Sequence, residues 1–355
     1  MIMSRYSRHI ILSDIGLEGQ NKISKARVLV IGAGGLGCPI LQYLAAAGVG
    51  TIGIMDFDVV ETSNLQRQIL FGTSSIGQNK ALAAKARLED LNPTINLIVY
   101  PEALTQNNAL VIFEAYDIIV DGTDNFNTRY LINDAALLTH KPIVYGAIYK
   151  FEGQVAVFNY KDSANYRCLF PSPPKEGSVA NCSEVGVLGV LPGIIGTLQA
   201  NEVLKIILEL GDILNGKLLS FNAKNNQTYT ISIPKSDYII TEEAFFTNKT
   251  LEFECLTPIQ HINFEKAIQL ENVQFIDVRE PHEIPKLDLE QCISIPLNQL
   301  FENFDQIDKN ANKVFICQSG IRSQKAITFL KKRDYNNCYN LEGGMQSIKT
   351  IYENR

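Results

Sequence analysis

The sequence lacks tryptophan, contains only 4 His and 4 Met, and has no excess of positive charge. Its 32 Lys+Arg are outnumbered by 38 Asp+Glu, which gives a net charge of -6. Because a nucleic-acid binder needs clustered Lys and Arg to contact phosphates, this balance argues against nucleic acid as a partner. Hydrophobic residues still make up 46% of the 355 residues, enough for two domains to bury a core each.

The seven cysteines form no C-x-x-C pair and are spread over the whole chain. An odd number at wide spacing does not make a disulfide framework. The first residues carry charges without an apolar run, so they do not predict a secretory signal. The most apolar stretch, residues 185–198, contains Pro192 and is too short to span a bilayer, so we expect it in a core. These absences predict a cytoplasmic protein without a membrane partner, whose thiols are reduced.

The first 150 residues alternate short β-branched runs with helix-like segments. Such alternation predicts a doubly wound α/β architecture, in which helices cover both faces of a parallel sheet. After residue 151 the pattern changes to alternation of period two, which predicts antiparallel strands that extend the same sheet. The expected parallel strands are residues 27–31, 51–55, 96–100, 117–120 and 142–145, and the expected antiparallel strands are 153–160, 217–222 and 228–233.

The chain loses its periodicity near residues 241–258, which are polar with scattered aromatics. We interpret this segment as a linker between a first domain at residues 1–240 and a second at 259–355. The second domain has strand-like runs of its own and a helix-like segment after the last of them. Its length suffices for one small α/β domain.

A glycine-rich turn follows the first predicted strand and opens a helix, since residues 32–37 have the sequence GAGGLG. Gly32, Gly34, Gly35 and Gly37 would let backbone N–H groups approach a phosphate at a helix N-terminus. Asp56, at the end of the next predicted strand, could accept hydrogen bonds from ribose hydroxyls. The pattern predicts a nucleotide site, and its most direct interpretation is a site for NAD or FAD.

Further polar residues follow that a dehydrogenase does not need. Lys80 stands at a predicted helix start, and Asp124 and Asn125 come directly after another predicted strand. Arg67 and Lys80 could neutralise a triphosphate, and Asp124 could hold Mg²⁺. All of them follow strand ends, where open α/β sheets bind ligands. The donor-rich segment that contains Arg67 consists of Ser63, Asn64, Leu65, Gln66, Arg67 and Gln68.

Together these segments resemble the ThiF/MoeB/HesA family, the bacterial relatives of ubiquitin-activating enzymes. The likeness runs over roughly residues 4–235 and rests on RYSRHI (5–10), GAGGLG, DFDVVETSNLQRQ (56–68), DGTDN (121–125) and GAIYKFEGQV (146–155). It implies a Rossmann-like fold that uses ATP to adenylate the C-terminal glycine of a small ubiquitin-fold sulfur carrier protein, MoaD- or ThiS-like.

The same resemblance assigns roles to individual residues. It implies a homodimer in which Arg8 reaches the phosphates of the ATP bound by the partner subunit. The residues that it places on ATP or its Mg²⁺ are Gly35, Asp56, Ser63, Asn64, Arg67, Lys80, Asp124 and Asn125.

Many members of this family bind a structural zinc through two C-x-x-C pairs, and this sequence departs from that pattern. Asn165 stands where the partner of Cys168 would be, and Cys255 is the only remnant of the second pair. Because two thiols cannot make a tetrahedral four-cysteine site, we predict no zinc. Cys182 lies where some relatives place a cysteine that attacks the acyl adenylate or carries sulfur, although an inert thiol fits the sequence equally well.

A second chemical motif, residues 317–322 (CQSGIR), follows an apolar strand and precedes a helix. Backbone N–H groups, the helix dipole and Arg322 would stabilise an anion on the Cys317 sulfur. With Ser323 the motif resembles the active loop of a rhodanese, and the segments DVRE and LEGGM resemble the flanking landmarks of that family. The resemblance implies a sulfurtransferase domain in which Cys317 carries a persulfide and Asp277 supports the loop.

An adenylating domain joined to a sulfurtransferase domain predicts two steps of one reaction. The carrier's carboxylate becomes an acyl adenylate, and the persulfide on Cys317 then supplies sulfur to give a thiocarboxylate. A cysteine desulfurase or thiosulfate would donate the sulfur. We expect molybdopterin synthesis as the pathway, while thiamine, cysteine or tRNA thiolation stay open.

Two other functions are compatible with parts of the sequence. The first is an NAD- or FAD-dependent oxidoreductase, which residues 63–68 disfavour. The second is a binding module that docks a carrier without activating it. The retained Arg8, Arg67, Lys80 and Asp124 argue against that module.

Overall fold

The computed structural model describes residues 5–174, 186–247, 259–285, 289, 292–318, 320–331 and 333–353. The chain divides into two compact units, Met1–Phe253 and Glu254–Arg355. The first unit therefore continues beyond residue 240, where we placed its end. The reason is a helix at Glu242–Thr247, whose Phe245 is fully buried in the core of that unit. Residues 248–258 of the expected linker lie outside the described part of the chain.

The first unit is built on an eight-stranded sheet with the order β3-β2-β1-β4-β5-β6-β7-β8. Strands β1 to β5 pair in parallel, and β6, β7 and β8 are added antiparallel. This topology confirms the predicted Rossmann-like sheet with its antiparallel extension. The strands are β1 (Arg27–Ile31), β2 (Thr51–Met55), β3 (Asn96–Tyr100), β4 (Ile118–Asp121), β5 (Ile143–Tyr149), β6 (Glu152–Phe158), β7 (Lys217–Asn222) and β8 (Gln227–Ser232).

Helices pack on both faces of this sheet. Val28 and Val30 of β1 belong to one core cluster, and Leu29 and Ile31 belong to the other, because side chains alternate across a strand. Each face therefore buries its own layer of helices. The helices are α1 (Ser7–Ile10), α2 (Gly16–Lys25), α3 (Gly37–Ala47), α4 (Lys80–Leu91), α5 (Gln106–Glu114), α6 (Phe126–Leu138), α7 (Tyr166–Leu169), α8 (Val190–Leu208) and α9 (Glu242–Thr247), with 3₁₀ turns at Thr62–Asn64 and Thr73–Ser75.

Helix α8 is long and apolar enough to cross a membrane by those two criteria alone. Half of its apolar window is nevertheless buried, and Leu191, Ile195 and Val203 pack in the same core as α3. Glu202 is also buried, and its Oε1 lies 2.6 Å from Nζ of Lys205. A paired charge on the inner face fits a core helix better than a lipid-facing one.

Helix α6 begins at Phe126, five residues before Leu131, where the apolar spacing of residues 131–139 predicts its start. The reason is a cap: the side chain of Asn125 accepts a hydrogen bond from the backbone N–H of Thr128 at 2.9 Å. A capping side chain can satisfy the orphan N–H groups of the first turn, so the helix starts where the cap stands. This cap places Asp124 immediately before a helix N-terminus.

The second unit contains a five-stranded parallel sheet with the order β11-β10-β12-β13-β9. It confirms the predicted small α/β domain, although the short strands β9, β11 and β13 were not predicted. The strands are β9 (Gln260–Ile262), β10 (Val273–Asp277), β11 (Cys292–Ser294), β12 (Asn312–Ile316) and β13 (Cys338–Leu341). The helices are α10 (Phe264–Ala267), α11 (Leu297–Asn303), α12 (Ile321–Lys331) and α13 (Gly344–Glu353), with a 3₁₀ turn at Phe304–Gln306.

Candidate active site

A cleft of about 810 Å³ opens in the first unit at the carboxyl ends of β1, β2 and β4. This is the edge at which open α/β sheets bind their ligands. The residues expected at a nucleotide site that line it are Gly32, Gly34, Gly35, Asp56, Asn64, Gln66, Arg67, Lys80, Asp124 and Asn125. The described lining does not include four other residues that we expected at the site, namely Arg8, Gly37, Ser63 and Leu65.

The glycine-rich turn is shaped by two close backbone approaches. Gly32 has φ +94°, and a Cβ there would lie 2.7 Å from the carbonyl oxygen of Gly122. A Cβ on Gly37 would lie 1.9 Å from the carbonyl oxygen of Gly32. Gly34 is different, because the nearest atom to a Cβ there is Nε2 of Gln68 at 3.7 Å. Gly32 and Gly37 therefore serve the turn itself, whereas Gly34 leaves room on the cleft side.

Asp56 supports this turn with both of its carboxylate oxygens. Oδ2 accepts a hydrogen bond from the backbone N–H of Ala33 at 2.7 Å, and Oδ1 accepts one from Asp58 at 2.9 Å. Burial raises the pKa of Asp56 above its ordinary value, against the influence of Lys80. The carboxylate thus ties the end of β2 to the glycine-rich turn, and its contact with ribose stays a prediction.

Lys80 is a buried cation of the cleft, and its partner is Asp58. The Lys80 side chain is 8% exposed, and its Nζ lies 2.9 Å from Oδ2 of Asp58. Burial alone would lower the pKa of Lys80, but Asp56 and Asp58 outweigh it and hold that pKa above its ordinary value. Lys80 is therefore protonated in the cleft. Asp58 was not predicted as a site residue, and its place two residues after Asp56 is the signal that points to it.

Arg67 and Asp124 supply the other charges of the cleft. Arg67 is half-buried, and its Nη1 donates to the carbonyl oxygen of Ser63 at 3.0 Å. Asp124 is exposed, and no Lys, Arg or His of the described residues lies within ion-pair distance of its carboxylate. The cleft thus brings the cations Arg67 and Lys80 together with the Asp124 carboxylate, which has no ion-pair partner in the described part of the chain.

Gln68, the last residue of the donor-rich segment, also lines this cleft, although the sequence assigned it no role of its own. It is 3% exposed, and its Oε1 is buried without a hydrogen-bond partner among the described residues. A buried amide oxygen without a partner is costly in a folded protein unless something else satisfies it. Its position at the end of the polar segment that starts at Ser63 is the signal in the sequence.

Arg8 lies on helix α1 and is exposed. Arg8 does not belong to the described lining of the cleft in its own subunit. Its reach into a partner subunit stays a prediction. Cys182, the tentative second thiol, falls among the residues that are not described.

Cys168, which we interpreted from the sequence as a remnant of a lost zinc site, lies against Ser236. Its Sγ accepts hydrogen bonds from the backbone N–H groups of Asn165 and Ser236, both at 3.3 Å, and lies 3.2 Å from the Ser236 hydroxyl. In the described part of the chain no three His, Cys, Asp or Glu side chains group as metal ligands. Cys255, the expected remnant of the second pair, lies outside that part, and the absence of zinc stays a prediction.

In the second unit, Cys317 follows β12 and is 1% exposed. Its Sγ accepts a hydrogen bond from the backbone N–H of Gly320 at 3.1 Å and lies 3.3 Å from the hydroxyl of Ser323. Gly320 has φ +91°, a backbone conformation that favours glycine. Gly320 therefore directs its backbone N–H at the sulfur. Asn340 was not predicted, and its Oδ1 lies 2.6 Å from the Ser323 hydroxyl.

Arg322 is held by Glu283, a residue that the sequence did not single out. Its Nη2 donates to Oε2 of Glu283 at 2.8 Å, and the hydrogen bonds from Arg322 lower the pKa of Glu283 to about 2. Asp277 makes a similar buried pair with Arg279, with 2.7 Å between Oδ2 and Nη2. Asp277 therefore supports the segment after β10, and Glu283 supports Arg322.

Comparison with known proteins places the two units in two families. The ThiF family model matches residues 6–238, and the rhodanese-like domain model matches residues 263–350. The probable adenylyltransferase/sulfurtransferase MoeZ of Mycobacterium tuberculosis is 40% identical, over 97% of this chain and 92% of that protein. The adenylyltransferase and sulfurtransferase MOCS3 of Aedes aegypti is 39% identical, over 93% of this chain and 82% of its own length.

A shorter relative and a solved structure agree with this result. The sulfur carrier protein adenylyltransferase of Thermus thermophilus is 52% identical, over 62% of this chain and 83% of that protein. The E. coli MccB crystal structure with MccA-N7isoASN has a TM-score of 0.58 at 23% identity, over 65% of this chain and 72% of that chain, which shows a shared fold. The chain belongs to the ThiF family and, with its rhodanese-like domain, is an enzyme of the adenylyltransferase/sulfurtransferase type.

Proposed function

We propose that the chain adenylates the C-terminal glycine of a ubiquitin-like sulfur carrier protein and then converts that carboxylate to a thiocarboxylate. The observation that carries the proposal is the meeting of Arg67, Lys80 and Asp124 in one cleft beside the glycine-rich turn. Adenylyltransferases use ATP, and a triphosphate needs this combination of cations and a metal-binding carboxylate. The relative from Thermus thermophilus is named for a sulfur carrier protein, which supports the choice of substrate.

The charges of the cleft suit attack by a carboxylate. A carboxylate is a poor nucleophile towards a polyanion, so the protein has to offset the phosphate charge and hold the two reactants in line. Arg67 and Lys80 supply the positive charge. One carboxylate oxygen of the glycine forms a bond to the α-phosphorus as the bond from that phosphorus to pyrophosphate breaks. No general base is needed, because the carboxylate is already ionised.

Asp124 fits the role of a Mg²⁺ ligand. Magnesium is bound in proteins by one or two carboxylates together with substrate phosphates, and Asp124 offers an exposed carboxylate at the cleft. No cation of the described residues competes for it at ion-pair distance. When bound, Mg²⁺ offsets charge on the phosphate oxygens. Asn125 fixes the helix start next to Asp124 through its cap on Thr128.

The second step takes place at sulfur. A persulfide on Cys317 attacks the acyl carbonyl, a carbon–sulfur bond forms, and AMP leaves, so that the carrier is joined to Cys317 through two sulfurs. A second thiol then attacks the sulfur of Cys317, the carrier leaves as the thiocarboxylate, and a disulfide to Cys317 remains. That second thiol is supplied by a thiol reductant, and a role of Cys182 in attack on the acyl adenylate or in carrying sulfur stays a prediction. The persulfide itself comes from a protein persulfide, such as that of a cysteine desulfurase, or from thiosulfate.

We further propose a cytoplasmic homodimer that serves molybdopterin synthesis. The relative from Porphyra purpurea, 39% identical over 99% of this chain and 94% of its length, is named a probable molybdopterin-synthase adenylyltransferase, which supports that pathway. Exposed Arg8 supports the homodimer, since a donor on a surface helix can serve the neighbouring subunit's cleft. Thiamine synthesis and tRNA thiolation would use the same chemistry with another carrier.

Exchange of radiolabelled pyrophosphate into ATP tests the adenylation step. We expect exchange only when a carrier with an intact C-terminal glycine is present, and a carrier without that glycine is the control. Asp124→Ala should abolish exchange while the protein stays folded. Exchange that is independent of the carrier, or that survives in Asp124→Ala, would refute the assignment.

A further inference from the structure

Arg129 is a buried arginine in the first turn of α6 that contacts the segment carrying Asp124. It is 8% exposed, and its Nη2 donates to the carbonyl oxygen of Thr123 at 2.9 Å. Its Nε lies 4.0 Å from Oδ2 of Asp121 and has no hydrogen-bond partner among the residues that the structure describes. The guanidinium therefore joins the end of β4 to the residue immediately before Asp124.

Asp121 also holds Thr123, through hydrogen bonds to its carboxylate. Its Oδ1 accepts hydrogen bonds from the backbone N–H of Thr123 at 2.9 Å and from the Thr123 hydroxyl at 2.7 Å. Asp121 is 2% exposed, and a buried carboxylate is costly unless a cation lies beside it. Arg129 is that cation. The N–H, the hydroxyl and the carbonyl of Thr123 are thus all held by this one charge pair.

The guanidinium also lies over two aromatic rings. Its carbon lies 5.6 Å from the ring centre of Phe126 and 5.5 Å from that of Tyr145. Arginine can stack on aromatic rings and donate in a fixed fork at the same time, whereas a lysine ammonium cannot do both. The position of Arg129 therefore depends on its shape as well as its charge.

Asp124 stands between two fixed neighbours. Thr123 is held by Asp121 and Arg129, and Asn125 is held by its cap on Thr128. We propose that Arg129 is a positioning residue, which sets the direction in which the Asp124 carboxylate points into the cleft. The inference rests on the proposed role of Asp124 as a Mg²⁺ ligand. Arg129 also lines the cleft, but its Nη2 and Nε face Thr123 and Asp121, so it acts through the loop.

Calorimetric binding of ATP to the full chain over a range of Mg²⁺ concentrations, without carrier, tests this role. We expect Arg129→Met to raise the Mg²⁺ concentration for half-maximal binding about tenfold, the effect typical of residues that orient a metal ligand. Arg129→Lys should give a value between those of the wild type and Arg129→Met. The readout is the Mg²⁺ concentration for half-maximal binding, whatever the affinity of each variant for ATP without Mg²⁺.

Arg167→Met is the matched control. Arg167 is also 8% exposed, and its Nη2 lies 2.7 Å from Oδ2 of buried Asp134, so its removal breaks a similar buried pair. We expect a lowered melting temperature in both methionine variants and a shifted Mg²⁺ dependence in Arg129→Met only. A wild-type Mg²⁺ dependence in Arg129→Met, or an equal shift in Arg167→Met, would overturn the inference.

One further variant keeps the test decisive. If Arg129→Met does not fold, Asp121→Asn replaces it, because the amide keeps an acceptor for Thr123 but loses the charge that holds Arg129. A wild-type Mg²⁺ dependence in Asp121→Asn would then overturn the inference. Failure of the proposed function looks different: the wild type would bind ATP in a Mg²⁺-dependent way that Arg129→Met weakens, yet no carrier would support pyrophosphate exchange.

Discussion

Arg322 donates to Glu283 across 39 positions of the sequence, with 2.8 Å between Nη2 and Oε2. The sequence places Arg322 beside the sulfur of Cys317, but the structure shows that a carboxylate already offsets its charge. In the described part of the loop, the backbone N–H of Gly320 donates to the sulfur, and the hydroxyl of Ser323 lies 3.3 Å from it. The loop around Cys317 is therefore less cationic than its sequence indicates.

The pair of Glu283 and Arg322 predicts a pH dependence of stability. The pKa of Glu283 falls from 4.5 to about 2 in the folded protein, because Arg322 donates hydrogen bonds to its ionised form. Its contribution to stability is therefore fully present above pH 4.5 and is lost as the pH falls towards 2. We expect the difference in unfolding free energy between the wild type and Glu283→Gln to shrink over that range. A difference that is constant with pH would contradict this.

Removal of the Glu283 charge should change how Cys317 reacts with anionic sulfur donors. In Glu283→Gln the guanidinium of Arg322 is no longer offset, so we expect a dianion such as thiosulfate to react a few-fold faster at low salt. Glu280→Gln is the control, because it removes a nearby carboxylate and leaves the ion pair intact. If the reaction with thiosulfate became faster by the same factor in both variants, the net charge of the protein and not the ion pair with Arg322 would set its rate.

Substitution by alanine should have different effects at two glycines of the glycine-rich turn. In Gly37→Ala the new Cβ lies 1.9 Å from the carbonyl oxygen of Gly32, so the backbone has to move, at a cost of about 3 kcal/mol. Gly34→Ala meets only the side chain of Gln68, at 3.7 Å. We expect Gly34→Ala to keep its melting temperature and lose ATP affinity, which thermal unfolding and calorimetry will measure. The opposite order of stabilities would contradict this account of the turn.

Cys168 should be a structural residue without a metal. Since its sulfur accepts two backbone hydrogen bonds and contacts the hydroxyl of Ser236, we expect purified protein to hold no stoichiometric zinc. A chelator should leave the unfolding temperature unchanged, and Cys168→Ala should cost about 1 kcal/mol. Metal analysis by mass spectrometry that finds one zinc per chain would show that this prediction is wrong.

The sheet of the first unit could be predicted from the sequence because its signals are local. The strands at Arg27–Ile31, Thr51–Met55 and Asn96–Tyr100 have the predicted bounds. Each is a short run rich in β-branched and apolar residues, which the sheet buries almost completely in Arg27–Ile31 and Thr51–Met55 and partly in the edge strand Asn96–Tyr100, so the run itself marks the strand. The glycine-rich turn is marked in the same way, since it immediately follows one of these runs.

The ion-pair and hydrogen-bond partners of several candidate residues could not be predicted, because they lie at distant positions of the sequence. Asp58 meets Lys80 across 22 positions, and Ser236 meets Cys168 across 68. No periodicity records such pairs, which depend on how the strands are ordered in the sheet. The start of α6 was also misplaced, since Asn125 sets it by capping while the apolar spacing begins later.

Replacement of the Cys317 thiol should separate the adenylation reaction from the sulfur-transfer reaction. We expect Cys317→Ala to keep carrier-dependent pyrophosphate exchange, because the cleft with Lys80 and Asp124 belongs to the other unit. It should lose sulfur transfer, since no persulfide can form at that position. Loss of both activities in a folded variant would contradict the division.

The mass of the carrier protein tests the central claim most directly. The wild-type chain is mixed with a candidate carrier, ATP, Mg²⁺ and a persulfide donor, and the carrier is then weighed by mass spectrometry. The account predicts that one oxygen of the C-terminal carboxylate is replaced by sulfur with the wild type and not with Cys317→Ala. A carrier that keeps its mass with the wild type, or that gains sulfur equally well with Cys317→Ala, would contradict it.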